Sequence, residues 1–219
     1  MIKPVWKSFK INNGLNLRFP QEIKLKDNML ASFDEELQVI TLSKNGESIA
    51  TDVLSREKDM FECVEMEVNP ETRKCGLGGL LHAFTVMLAK ENKLKKLQLF
   101  SLPEAVRFHF NKGFRTACGG RDTAVSCMRS IIKSDTPYDD LKVKAKDIMF
   151  NLSLSDKKAI EMADHLYDEY LNRAIKDNVP REKLMLPSTL VMDLSMKRVG
   201  KNAEFYNTIL NDFGIDYVI

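Results

Sequence analysis

The stretch Arg73-Lys74-Cys75-Gly76-Leu77-Gly78-Gly79, entered from Val64-Glu65-Met66-Glu67-Val68-Asn69-Pro70, limits the fold more than any other part of the chain. It reads as a strand running into a glycine turn that opens an amphipathic helix. Glycines at 76, 78 and 79 remove side chains where backbone N–H groups converge at a helix N-terminus, a place where a phosphate binds well. Arg73 and Lys74 add positive charge at the same spot. A Walker loop requires G-x-x-x-x-G-K-[ST], and neither the spacing nor the Lys-Ser/Thr pair is present. A dinucleotide fingerprint requires G-x-G-x-x-G, and after Gly76 and Gly78 the third position is Leu81. Taken alone, the turn also fits a helix start that holds no ligand.

A second segment, Glu104-Ala105-Val106-Arg107-Phe108-His109-Phe110-Asn111-Lys112-Gly113-Phe114, reads as a short helix closed by a glycine C-cap, with Phe114 returning the chain to a sheet. Between the two segments lie a helix at about 80–92 and a strand at 94–101. The two segments, in this order, resemble the GNAT (Gcn5-related N-acetyltransferase) family. The first is similar to its acetyl-CoA-binding motif R-x-x-G-x-G, the second to its A-x-x-F-Y-x-x-x-G-F signature. The resemblance covers roughly residues 35–133.

That resemblance implies an α+β fold, with a GNAT-like central mixed, mostly antiparallel sheet flanked by helices. It implies acetyl-CoA as co-substrate, held by the backbone of Met66, Glu67 and Val68 and by Arg73, Lys74, Cys75, Gly76, Leu77, Gly78 and Gly79. The acceptor it implies is a primary amine on a protein or a small molecule. The strand before the turn is where the family often carries a basic carboxylate, and here it offers Glu62, Glu65 and Glu67. Glu62 stands 11 residues before Arg73, the family spacing for that base, with Glu65 the second candidate. Glu62 and Glu65 point to opposite faces of a regular strand, so both cannot serve without a bulge. All three also fit plain solvent-facing strand positions.

The family's tyrosine, which donates to or orients the departing thiolate, falls on His109. Imidazole ordinarily titrates near 6.5 rather than 10 and donates a proton when charged or a hydrogen bond when neutral. The substitution leaves two other readings open: a CoA-binding protein without transferase activity, and an interaction scaffold. His82, on the helix after the turn, reads as a surface or packing residue.

Ahead of the turn, Leu37–Leu42 and Ser48–Leu54 flank Asn45-Gly46, a strong hairpin signal, and Phe61–Val68 adds a third strand. Residues 1–34 are weakly patterned, with a short strand at Ser8–Ile11 and a turn at Asn13-Gly14. They leave little room for the two helices that GNAT proteins place after their first strand. Beyond the second segment, a hairpin around Gly119-Gly120 is expected.

The pattern changes at Ser134, so the chain divides into a GNAT-like domain, 1–133, and a mainly helical C-terminal extension, 134–219. There, a stripe from Ile160 to Ala174 predicts a helix ending near Asn178 and offers a surface for self-association. A shorter helix is expected at 201–211, ended by Phe213-Gly214-Ile215.

Residues 1–133 carry 21 Lys+Arg against 16 Asp+Glu, and the rest 12 against 15, so +5 and −3 make up the net +2. A mildly basic first part suits an anionic cofactor but is too weak to argue for nucleic acid. No apolar run approaches the roughly 20 residues of a membrane helix, and no secretion signal opens the chain, so a cytoplasmic protein without membrane partners is expected. Four cysteines without metal-site spacing read as reduced thiols, and no metal is expected.

Overall fold

The computed structural model describes residues 1–11, 14–117, 168, 171–184 and 189–219. These form two compact units, one made of Met1–Leu99 with Leu194–Ile219, the other of Phe100–Asp193. The expected boundary at residues 133 and 134 lies outside the described residues, as do the hairpin around Gly119-Gly120 and most of the Ile160–Ala174 stripe.

The first unit opens with a small antiparallel pair, β1 (Trp6–Lys10) and β2 (Asn16–Pro20). An antiparallel meander follows: β3 (Ile23–Lys24), β4 (Met29–Asp34), β5 (Val39–Lys44), β6 (Glu47–Arg56) and β7 (Met60–Val68). The Asn45-Gly46 turn between β5 and β6 has φ of 54° and 85°, the paired left-handed geometry that lets a two-residue loop follow strand twist. Helix α1 (Leu77–Glu91) then carries the chain to β8 (Lys96–Ser101), which pairs parallel with β7. The architecture is α+β, with a mixed, mostly antiparallel sheet, as expected from the sequence. Residues 1–34 hold more strand than their patterning announces, β2, β3 and β4 all being additions.

Helix α1 is buried on nearly every side, because Leu77, Leu80, Leu81, Phe84, Met87 and Leu88 are joined by the small Gly79, Ala83 and Ala89. His82 is among its buried residues and packs rather than faces solvent. Phe84 meets Phe33 of β4 edge-on at 5.3 Å, which seats the helix on the sheet.

In the second unit, α2 (Val106–Asn111) ends in a turn at Gly113 with φ 95°, and β9 (Arg115–Thr116) pairs antiparallel with β10 (Leu190–Ser195). β10 is a strand within the part expected to be mainly helical. Its inward positions Leu190, Met192 and Leu194 are fully buried. Residues 171–176 are helical, and there Leu171, Ala174 and Ile175 are buried within the chain itself, so the described end of the stripe is already covered.

The chain then returns to the first unit through α3 (Met196–Lys201), capped by Ser195, and α4 (Ala203–Asp212). Helix α4 lies where a helix at 201–211 was expected and stops at Phe213-Gly214, with Gly214 left-handed at φ 88°. Tyr206, Leu210 and Ile215 are fully buried in this unit. Ile2 bridges Ile215 in parallel, its N–H bonding to Gly214 C=O at 2.8 Å.

Candidate functional site

Strand β7 does not run as a regular strand. Val53 of β6 pairs with Glu65 and the next residue, Leu54, pairs with Cys63, so Val64 is left over as a β-bulge. The extra residue resets the alternation of faces. Ser55, Val53 and Thr51, every second residue of β6, sit opposite Glu62, Glu65 and Glu67. The three glutamates therefore share one face of the sheet, with Glu62 half-buried and the other two exposed. The opposite-face placement of Glu62 and Glu65 in a regular strand is corrected by this bulge. The other face, toward α1, holds Asp52 and Leu54 of β6 with Met66 and Cys63 of β7.

The backbone of β7 is equally informative. Asn69 N–H donates to Ile49 C=O of β6 at 2.9 Å. Backbone direction alternates along a strand, so the amides of Glu67 and Glu65 also face β6, while those of Met66 and Val68 face the other edge. There the parallel ladder with β8 has its last pair at Cys63↔Leu99. Beyond it no described strand pairs with the Met66 and Val68 edge. Val68 C=O on this edge accepts from Arg73 Nε at 3.4 Å, which folds the arginine back over the strand end.

After β7 a short 3-10 turn at Pro70–Thr72, capped by the Asn69 side chain, leads into the glycine turn. Lys74 and Gly76 both take left-handed φ, 68° and 82°. Gly76 is the N-cap of α1 and supplies no side-chain acceptor, and the first turn holds no acidic residue. The first helical bond is Leu80 N–H to Gly76 C=O at 3.0 Å, so among the described residues the N–H groups of Leu77, Gly78 and Gly79 have no protein acceptor. With the helix dipole behind them and the exposed Arg73, Lys74 and Cys75 around them, they form a cradle suited to an anion. Phe213, at the end of α4, packs its ring over Gly76, 3.7 Å from where a Cβ would stand. The sequence carries no local sign of that contact; a phenylalanine just past a helix end reads only as a cap.

His109 belongs to the second unit. It lies within α2, 8% exposed, with Phe108 and Phe114 edge-on at 5.2 and 5.9 Å between ring centroids. Burial pulls its imidazole down to about 4, so it is neutral at physiological pH. This differs from the ionisation near 6.5 that an exposed histidine shows. What the ring offers there is a hydrogen bond from one nitrogen and acceptance at the other.

No family model matches this chain, and no curated protein matches it. Among solved structures, the chain is similar to a GNAT family acetyltransferase from Elizabethkingia anophelis with acetyl-CoA bound, at 22% identity and TM-score 0.36, over 37% of this chain and 56% of that one. It is similar to the ribosomal-protein-S18-alanine N-acetyltransferase from Escherichia coli at 20% identity and TM-score 0.36, over 39% and 57% of the two chains. An acetyltransferase of GNAT family from Staphylococcus aureus Mu50 is matched at 24% identity and TM-score 0.36, over 45% and 63%. The chain thus spans little more than half the length of the first two. No helix among the described residues is long and apolar enough to cross a membrane.

Proposed function

We propose that this chain is a GNAT-type N-acetyltransferase that takes acetyl-CoA as co-substrate and transfers its acetyl group to a primary amine. The observation that carries the reading is a junction: the open amide edge of bulged β7 leads through a short turn to the uncapped N-terminus of α1. An elongated ligand with an amide-bearing arm and a pyrophosphate matches those two features in sequence. The arm pairs with Met66 and Val68, the phosphates take the amides from Cys75 to Gly79, and Arg73 and Lys74 supply positive charge.

In the reaction, the amine nitrogen attacks the thioester carbonyl carbon, the C–N bond forms, and the C–S bond breaks to release CoA. The attacking amine must be neutral, whereas a free alkylamine with its pKa near 10.4 is mostly charged, so a base has work to do. Glu62 fills that role in this proposal, with Glu65 beside it on the same face as the alternative. Backbone N–H groups of the β7 edge polarise the thioester carbonyl, a contribution that does not depend on side-chain identity. His109, being neutral, is assigned hydrogen bonding to the thiolate rather than its protonation. That neutrality also favours a second reading, a CoA binder that does not turn over.

Thiol release from acetyl-CoA, screened across polyamines, amino acids, aminoglycosides and lysine peptides, separates the two. Release with any amine supports the transferase. Its absence from a protein that still shows a CoA-induced thermal shift supports the binder. Gly78→Val, which puts a branched side chain among the phosphate-facing amides, is expected to abolish that shift in a folded protein. An unchanged shift in Gly78→Val refutes the cofactor site.

A further inference from the structure

The helix-facing side of the sheet contains an acid that the proposed chemistry does not use. Asp52 of β6 is 0% exposed. Its Oδ1 lies 2.8 Å from Cys63 Sγ on β7, and its Oδ2 lies 2.6 Å from Thr85 Oγ1 on α1. Thr85 Oγ1 is also 2.9 Å from Leu81 C=O, one turn back along the helix. The ladder partners beside Asp52 are apolar, Ile40 of β5 and Met66 of β7. Among the described residues, the other buried charged or titratable groups of β6 and α1 are Arg56, farther along β6, and His82, three residues before Thr85.

The hydrogen-bond pattern favours the neutral acid. Three contacts run in a chain from Cys63 through Asp52 and Thr85 to Leu81. If Asp52 is ionised, only two protons are available, from Cys63 and Thr85, and one contact has none. If Asp52 is neutral, Cys63 S–H donates to Oδ1, the acid O–H donates to Thr85, and Thr85 O–H donates to Leu81 C=O. Every contact then holds one proton, and no unpaired charge is buried.

We propose that Asp52 is held as the neutral acid and is a positioning residue for the cofactor site, its proton tying α1, which carries the phosphate-facing amides, to β7, which carries the Met66 and Val68 edge. This rests on the acetyl-CoA reading above. Burial also pushes the acid up to about 7, against the pull of its two hydrogen bonds. Ionisation leaves a charge that no cation among the described residues contacts between helix and strand, and the two amide sets lose their fixed spacing.

The test is calorimetric titration of CoA into wild type, Asp52→Asn and Asp52→Ala at pH 6, 7 and 8. Asparagine keeps the chain, its carbonyl accepting from Cys63 and its amide donating to Thr85, and cannot ionise. At pH 6 wild type and Asp52→Asn are expected to bind alike, while Asp52→Ala is weaker at every pH. At pH 8, with a midpoint near 7, about one wild-type molecule in eleven keeps the proton, so its affinity falls about tenfold relative to Asp52→Asn. A wild-type to Asp52→Asn ratio that stays constant with pH overturns the proposal.

A ligand-free readout keeps the two ideas apart. Between pH 4 and 7 folded wild type holds a proton that the unfolded chain has lost, so its Tm falls with rising pH relative to Asp52→Asn. A flat Tm difference refutes the neutral acid itself. A sloping difference with no CoA binding by either protein at pH 6 refutes the cofactor reading and the positioning role with it. Should Asp52→Asn not fold, the carboxyl-carbon resonance of Asp52 in wild type decides: titration near 7 supports the neutral acid, and titration near 4 overturns it.

Discussion

Gly76 offers the sharpest test of the turn, because its geometry separates backbone strain from crowding. Among the described residues, a Cβ built at this position meets only the Phe213 ring, at 3.7 and 3.8 Å, which is ordinary van der Waals contact. The backbone stands at φ 82° and ψ −2°, a left-handed conformation that costs an L residue roughly 1–2 kcal/mol. Alanine also narrows the unfolded ensemble, which returns about 0.4–1 kcal/mol where the native conformation is compatible, but here it is not. Gly76→Ala is therefore expected to lose about 1–2 kcal/mol, or roughly 2–8 °C in Tm for a chain of this size. Asparagine tolerates the left-handed region better, so Gly76→Asn should fall between glycine and alanine.

Urea unfolding followed by tryptophan fluorescence is a suitable assay, since Trp6 is the chain's one tryptophan and lies in the same unit as the turn. CoA affinity should drop further than stability does. If alanine relieves its strain by rotating φ, the amides of Leu77 and Gly78 turn away from the phosphates. A Gly76→Ala protein as stable as wild type, or an asparagine variant no better than alanine, would refute the strain argument.

Two predictions concern the proposed chemistry. Glu62→Gln should lower kcat by about 10²–10⁴, the usual span for a lost general base, with CoA affinity little changed. A fall confined to Glu65→Gln would move the base to the other side of the bulge. For His109, the unfolded chain takes up the imidazole proton below about 6.5 and the folded chain only below about 4. Stability thus rises with pH across that window and is lost as pH falls through it, by up to about 3 kcal/mol. His109→Gln should flatten this slope in a denaturation series. The kcat profile should carry no His109 ionisation between pH 6 and 8, and one found there that vanishes in the variant would show the ring to be charged.

The elements that were legible in the sequence are those set by local chemistry. Asn45-Gly46 demanded a hairpin because both residues accept positive φ, and the glycines at 76, 78 and 79 announced an uncapped helix start. The bulge at Val64 was not legible. An extra residue in a strand changes no composition, and only the pairing with β6 shows that Glu62 and Glu65 share a face. Asp52 was overlooked although a signal existed: Ala50 and Leu54, two residues to either side, mark its parity as the buried one. The neutrality of His109 comes from Phe108 and Phe114 closing on it, and ring packing of that kind has no periodicity to read. Residues 16–34 fold into strands of two to six residues, too short for their period-two alternation to stand out.

The return of the C-terminal segment to the first unit has a consequence for how the protein is made. On the ribosome, residues 1–99 emerge long before 194–219, and all of the second unit is synthesised between them. Until then α1 has no Tyr206 or Leu210 to complete its unit's core, Ile2 has no Ile215 to bridge, and the turn at Gly76 has no ring over it. Sequence-distant contacts of this kind are made late, because the intervening loop must close first. The glycine turn thus leaves the ribosome tunnel well before the residues that brace it, and a nascent chain stalled before residue 213 carries the whole motif without the ring that packs over Gly76.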